Sequence, residues 1–182
     1  MSRILTSIVL MLVSVSVWAS PKVNVETTLG NFTIELNQEQ APISAENFLK
    51  YVEDGSYEGT IFHRVIPGFM AQGGGFDQDM NQQATYGPIK NEGSNDLKND
   101  TATIAMARTN APDSATRQFF INFADNDFLN AKGANPGYAV FGKVTEGFDV
   151  VQKMATIPTK RMGRMSDIPI DPIIINKVTL LK

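Results

Sequence analysis

Short segments in which apolar and polar residues alternate, separated by Gly and Pro, make up most of this chain after residue 20. The first two, in "KVNVETTLGNFTIELN", flank Gly30 as the strands of a β-hairpin do. Six more follow: "TIFHRVI", "GFMAQGG", "TATIAMA", "QFFINFA", "YAVFGKV" and "PIIINKVTLLK". Many short strands with very few helices favour a mainly antiparallel β-barrel or sandwich.

Only two segments have helical spacing. In "APISAENFLKYVEDG", Pro42 suits the first turn and Gly55 the end of a helix of about three turns. The second, "GFDVVQKMA", has an apolar residue at every third position. Two segments are predicted to be long loops, the polar stretch 77–100 and the stretch 158–172, whose basic group is Lys160, Arg161 and Arg164.

Residues 1–19 predict a cleavable signal peptide. Arg3 precedes an apolar run that ends at Val17, and Val17-Trp18-Ala19 has the small-x-small pattern of a cleavage site. A membrane anchor is the alternative, but serines and a threonine interrupt the run, which is shorter than the roughly 18 residues a spanning helix needs. Cleavage is expected after Ala19, with Ser20 or Pro21 as other possible first residues, and no stable membrane insertion is expected afterwards.

Composition limits the remaining possibilities. A chain of 182 residues suits one globular domain, here 20–182, with a substantial core. A formal charge of −3 does not suggest a partner nucleic acid. Since the chain has no Cys, an exported form must be stabilised by packing without disulfides.

The usual catalytic motifs are missing. The single His, His63, has no GxSxG motif to form a nucleophilic triad, and no cluster has the spacing of metal ligands. The segment "GGGF" lacks the GK[ST] ending of a phosphate-binding loop. The segment "DNDFLN" lacks the Gly that a calcium-binding loop has at its sixth position. Scattered acids could still pair in space. No metal or cofactor is expected, and rotation about an Xaa-Pro bond is one of the few reactions that need neither.

The stretch "FHRVIPGFMAQGG" (62–74) sets Arg64 and Gln72 among apolar residues. These two are either polar residues on the wet face of a strand or parts of a site with an apolar wall. His63 is interpreted as structural, because its strand neighbour Arg64 should face the opposite side.

Four blocks in this order resemble the cyclophilin-type peptidyl-prolyl cis-trans isomerases: "FHRVIPGFMAQGG", "TIAMAR", "QFFINFADNDFLN" and "YAVFGKVTEG". The similarity spans almost the whole chain after residue 19, and the signal sequence and the later blocks resemble the periplasmic bacterial branch. The resemblance implies a closed eight-stranded antiparallel β-barrel capped by two helices. It also implies a peptide groove outside the barrel, a periplasmic location and an enzyme that can act as a monomer.

The resemblance assigns roles position by position. Arg64 would be catalytic, and Gln72 would hydrogen-bond both Arg64 and the substrate backbone. The proline ring would lie against Phe69, Met70, Phe120 and Leu129. Ala107 and Arg108 would present the peptide-binding edge, with Gln118 nearby. The implied reaction is rotation of Xaa-Pro bonds in unfolded exported polypeptides, with Arg64 stabilising the twisted imide nitrogen.

Three residues differ from the best-known cytosolic members of the family. Phe128, which would lie either in the substrate pocket or in the core, stands in place of Trp. Tyr138, which would form an aromatic wall of the substrate site, stands in place of His, and Arg108 stands in place of Asn. Because Phe128 lacks the indole N–H that binds cyclosporin in Trp-containing members, weak cyclosporin binding is expected. Two rival functions remain: a module that holds proline-containing chains without turnover, and a small-molecule carrier, which a barrel of this size filled by side chains disfavours.

Overall fold

The computed structural model describes residues 20–181. The predicted signal peptide, including Ala19, lies outside the described residues. Within them, no helix is long and apolar enough to cross a membrane.

Eight strands form one antiparallel sheet, in the order β10-β1-β2-β7-β5-β6-β4-β3. Their bounds are β1 (Lys22–Thr27), β2 (Gly30–Leu36), β3 (Thr60–Ile66), β4 (Met70–Asp77), β5 (Thr103–Met106), β6 (Phe119–Asn122), β7 (Val140–Glu146) and β10 (Ile175–Leu181). The sheet curls so that its outer strands meet, since the Phe62 amide donates to the Ile173 carbonyl at 2.9 Å and Gly59 to Ile175 at 2.8 Å. The predicted eight-stranded antiparallel architecture is confirmed.

Both predicted helices are present, as α1 (Pro42–Glu53) and α2 (Phe148–Met154). Pro42 opens α1, and the Phe48 ring of this helix packs against Phe119 and Phe141 of the sheet at centroid distances of 5.5 and 5.3 Å. Gly147 precedes α2 with φ 72°, and a Cβ there would lie 2.4 Å from the Asn31 carbonyl oxygen. Only glycine fits that approach between α2 and β2.

The two faces of the sheet carry separate apolar clusters. Alternating residues of each strand point inward to the main core, which fills the interior; examples are Ala71, Ile104, Phe119 and Phe141. Their strand neighbours Met70, Ala105, Phe120 and Val140 point outward and form a smaller cluster together with Leu129, which lies between β6 and β7. Side chains thus occupy the interior, as a barrel of this size requires, and the second cluster is available to build a site on the outside.

A β-bulge in β3 sets the direction of Arg64. Phe62 pairs with Gly73 and Arg64 with Gln72, so two steps along β3 match one step along β4 and His63 is the extra residue. Phe62 and Val65 therefore both reach the main core, while Arg64 points outward. Strict alternation would have placed Phe62 and Arg64 on the same face.

The prediction that 158–172 is a loop is wrong. This stretch contains a β-hairpin of β8 (Thr159–Met162) and β9 (Met165–Pro169), which lies against β3. Its turn begins at Gly163 with φ 59°, and Ile168 in β9 is buried. The exposed residues of β8 concealed the strand pattern. The stretch 77–100 beyond the end of β4, by contrast, forms only isolated bridges, as its polar composition predicted.

Candidate active site

A cavity of about 130 Å³ opens on the outer face of the sheet, and we call it the apolar groove. Its walls contain nine of the eleven residues that the sequence predicted for a site: Arg64, Phe69, Met70, Gln72, Ala107, Arg108, Phe120, Leu129 and Tyr138. The remaining two, Gln118 and Phe128, lie beside it. Residues from four separate blocks of the sequence therefore converge on one surface.

Strand register brings the groove together. Arg64 of β3 lies opposite Gln72 of β4, which lies opposite Phe120 of β6, and Phe120 in turn lies opposite Ala105 of β5. These residues form one row across four strands on the outer face. The row begins with the cation Arg64 and ends with the apolar residues Phe120 and Ala105, which belong to the floor of the groove.

The floor is apolar and almost completely buried. Phe120 is only 4% exposed and Met70 only 2%. The Phe120 ring meets the Tyr138 ring edge-on with centroids 5.7 Å apart, and Leu129 is held by a short 3₁₀ turn, Asp127–Leu129. Such a floor accepts a small apolar ring and excludes water from it.

Arg64 stands at one side of this floor with its side chain 42% exposed. Its Nε lies 4.0 Å from Oδ2 of Asp167 in β9. Asp167 has the left-handed φ of 63° that aspartate tolerates better than most residues, and its Oδ2 accepts a hydrogen bond from the Ser166 hydroxyl at 2.8 Å. The hairpin therefore supplies the counter-charge of Arg64.

The predicted hydrogen bond between Gln72 and Arg64 is absent among the described residues. The Gln72 amide nitrogen instead donates to Oε1 of Gln118 at 2.8 Å. Gln118 lies against β4 where Gly75 leaves room, because a Cβ on Gly75 would come within 2.5 Å of the Gln118 side chain. Gln118 thus supports Gln72 from outside the groove.

Arg108 is fixed at the opposite side of the groove. Its Nε and one terminal nitrogen donate to the Gly137 carbonyl at 3.2 and 3.0 Å, and the other terminal nitrogen donates to Thr109 at 2.9 Å. The guanidinium also lies 4.3 Å from the centre of the Tyr138 ring. Arg108 and Tyr138 form one stacked wall.

Phe128 is at the rim rather than in the wall. Its side chain is 68% exposed, and its ring lies 5.5 Å from that of Phe69. The structure therefore places Phe128 neither in the core nor in the apolar groove. It could contact only a ligand that extends over the rim.

His63, the bulge residue, is 3% exposed and packs edge-on against Phe76 at 4.7 Å. Burial is the main cause that lowers the pKa of His63 to about 4, so its imidazole is neutral at neutral pH. The expectation that His63 and Arg64 face opposite sides is wrong, since both line a second pocket beneath the β8–β9 hairpin. The bulge is the reason.

Asp167 and the hairpin were not found by sequence reasoning. Asp167 sits in the stretch read as a loop, and nothing in its local sequence relates it to Arg64, more than a hundred positions earlier. Among residues 20–181, no three His, Asp or Glu side chains are grouped so as to hold a metal ion.

Comparison with known proteins agrees with this architecture. Residues 22–180 match the family "Cyclophilin type peptidyl-prolyl cis-trans isomerase/CLD". A peptidyl-prolyl cis-trans isomerase of Acinetobacter baylyi is 55% identical over 93% of this chain and 90% of its own length. Isomerase B of Escherichia coli is 51% identical over 87% and 98%.

A solved cyclophilin-type isomerase of Cryptosporidium parvum, in the presence of the dipeptide Ala-Pro, superposes with a TM-score of 0.74. It is 29% identical, and the match covers 88% of this chain and 99% of that one. The fold and groove define a protein of the cyclophilin class. The chain belongs to the cyclophilin-type peptidyl-prolyl cis-trans isomerase family and is a peptidyl-prolyl cis-trans isomerase.

Proposed function

We propose that the apolar groove binds the proline ring of an Xaa-Pro segment and that Arg64 stabilises the twisted state of the bond before it. The observation that supports this most is the position of a permanently charged guanidinium beside a buried apolar floor. The solved relative that was studied in the presence of Ala-Pro supports the same choice of ligand. Proline-containing unfolded polypeptides are the substrates.

Rotation about an Xaa-Pro bond has a barrier of about 20 kcal/mol and takes tens to hundreds of seconds unaided. An acceleration of about a thousandfold needs only about 4 kcal/mol. Resonance between the imide nitrogen lone pair and the carbonyl opposes rotation. A donor that bonds to that nitrogen as it becomes pyramidal stabilises the twisted state more than either planar one, which is what catalysis requires.

Arg64 has the properties of such a donor. A guanidinium keeps its charge whatever its surroundings, whereas burial can neutralise a lysine. A charge-assisted hydrogen bond contributes about 1.5–3 kcal/mol, and more where water is excluded. Asp167 lies 4.0 Å from Nε, so the terminal nitrogens of Arg64 would remain available to the substrate. The apolar floor would hold the ring while the residue before proline rotates.

The direct test is the cis-to-trans rate of a short Xaa-Pro peptide with the protein that lacks residues 1–19. Acceleration is expected. A rate equal to the uncatalysed one would contradict the proposal and favour a module that holds peptides without turnover.

We further propose that the chain is exported and acts on folding proteins in the periplasm. The support is the sequence of residues 1–19, with its basic start, apolar run and Val17-Trp18-Ala19 pattern. We expect the protein recovered from the periplasmic fraction to begin at Ser20 when its intact mass is measured. A full-length chain retained in the membrane fraction would instead support the anchor alternative.

Weak cyclosporin binding is proposed from Phe128. Its exposed ring at the groove rim offers apolar contact but no N–H donor. We expect Phe128→Trp to tighten cyclosporin binding about fivefold, since one added hydrogen bond is worth about 1 kcal/mol. Calorimetry on both proteins measures this. A submicromolar dissociation constant for the unaltered protein would contradict the proposal.

A further inference from the structure

A second pocket lies beyond Arg64, under the tip of the β8–β9 hairpin, and we call it the hairpin pocket. It shares Arg64, Gln72 and Arg108 with the apolar groove. On its far side the wall is made by Arg164 and the residues that follow it in the hairpin. An extended chain rises about 3.3 Å per residue. Because the two pockets share three wall residues, they are adjacent. A peptide with its proline in the groove would place the side chain of a residue one or two positions away in the hairpin pocket.

The pocket is strongly cationic. Three arginines line it, Arg64, Arg108 and Arg164. Arg64 has Asp167 nearby, and the guanidinium of Arg108 is bonded to backbone carbonyls, which leave its charge uncancelled. Arg164, exposed at the turn, has neither an ion pair nor a side-chain hydrogen bond within residues 20–181. The guanidinium of Arg164 is thus free to bind a ligand, and the charge of Arg108 is held in place beside it.

His63 also lines the hairpin pocket, and its ring is buried. Burial keeps its imidazole neutral at neutral pH by lowering its pKa to about 4, although the Ile61 backbone acts in the opposite direction. The ring therefore adds no charge of its own, and the arginines set the charge of the pocket.

We propose that the hairpin pocket is a subsite for an acidic side chain of the substrate, one or two residues from the bound proline. Arg164 is its specificity-determining residue. Carboxylates match the pocket because guanidinium groups bind them through paired charge-assisted hydrogen bonds. This inference rests on the proposed function of the apolar groove, since the proline fixes which substrate residue reaches the pocket.

The test uses peptides that share an Ala-Pro core. In each pair of peptides, Glu or Gln occupies one position, which is one of the two before the core or one of the two after it. This pair differs in charge but hardly in shape. For the protein without residues 1–19, we expect kcat/KM to be about three- to tenfold higher for Glu at the position that reaches the pocket, as an ion pair in a partly desolvated groove provides. The advantage should shrink as salt is added.

Arg164→Gln should bring the Glu/Gln ratio to within about twofold of one. The matched control is Arg161→Gln, because Arg161 is on the same hairpin but donates to the Gly163 carbonyl and does not line the pocket. That variant should keep the ratio. A ratio near one in the unaltered protein, or one that survives Arg164→Gln, overturns the inference.

The same experiment separates this inference from the proposed function. Acceleration of the Gln peptides reports isomerase activity alone, whatever the charge preference. If no peptide is accelerated, the isomerase mechanism fails. The subsite is then tested by binding alone: calorimetry should show tighter binding of the Glu peptide than of the Gln peptide, and Arg164→Gln should remove that difference.

Discussion

Arg64→Ala should lose about 100- to 1000-fold in kcat/KM toward a short Xaa-Pro peptide. Removing one well-placed donor to a developing charge typically costs this much, about 3–4 kcal/mol of transition-state stabilisation. The loss should fall on the rate of the bound complex more than on binding, because the apolar floor that we propose to hold the ring is untouched. A cis-to-trans assay without a coupling protease measures it.

Arg64→Lys tests whether charge alone is sufficient. A lysine keeps the cation but loses the planar fork that can face Asp167 and the substrate together. We expect it to recover only part of the lost rate. Arg161→Ala serves as the control, since this exposed arginine lies on the adjacent hairpin and outside the groove. Circular dichroism should show that all three variants are folded.

The outcome also separates an isomerase from a holding module. If Arg64→Ala loses isomerisation but still suppresses the aggregation of an unfolded proline-containing protein, the groove binds chains independently of catalysis. If isomerisation survives the substitution, the family function stands and the role assigned to Arg64 is wrong. The bond twist would then be favoured by the apolar wall and backbone contacts alone.

Most of the fold could be predicted because its signals are local. Alternation around Gly30 and the proline that opens α1 each act over a few residues, and both features are present. The convergence of site residues followed from the order of blocks rather than from periodicity. Periodicity could never relate Arg64 to Tyr138, because strand order in a sheet depends on long-range pairing.

What the sequence concealed depends on long-range contacts. The bulge at His63 adds one residue to β3, and only the partner strand β4 reveals the register shift. The β8–β9 hairpin has an exposed first strand, so burial leaves no pattern in its residues. The partner of Gln72 also depends on a long-range contact. Its side-chain amide donates a hydrogen bond to Gln118, 46 positions later, and not to Arg64.

Arg117 is a further residue whose importance no local pattern showed. It precedes the predicted site residue Gln118 and is 2% exposed. Its guanidinium donates to the carbonyls of Gly74 and Ala84, each at 2.6 Å, and to that of Ser56. It therefore ties the 77–100 segment and the turn after α1 to strand β4.

Aromatic rings complete the surroundings of this buried cation. The guanidinium carbon lies 5.0 Å from the centre of the Tyr51 ring and 5.5 Å from that of Tyr57. Burial raises the pKa of Tyr57 well above its ordinary value, so its hydroxyl stays protonated and donates to the Arg117 carbonyl at 2.7 Å. No carboxylate pairs with Arg117 in residues 20–181, and carbonyl dipoles and ring faces hold the charge instead.

Arg117→Met should therefore lower the free energy of unfolding by about 3–5 kcal/mol. Methionine fills much of the space but leaves three carbonyls without their donor, and an unsatisfied buried group costs about 1–3 kcal/mol. Urea denaturation measures the loss, with Arg161→Met as the control expected to stay within about 0.5 kcal/mol of the unaltered protein. A loss below about 1 kcal/mol for Arg117→Met would mean that water replaces the guanidinium, and that the 77–100 segment is held to β4 by its other contacts.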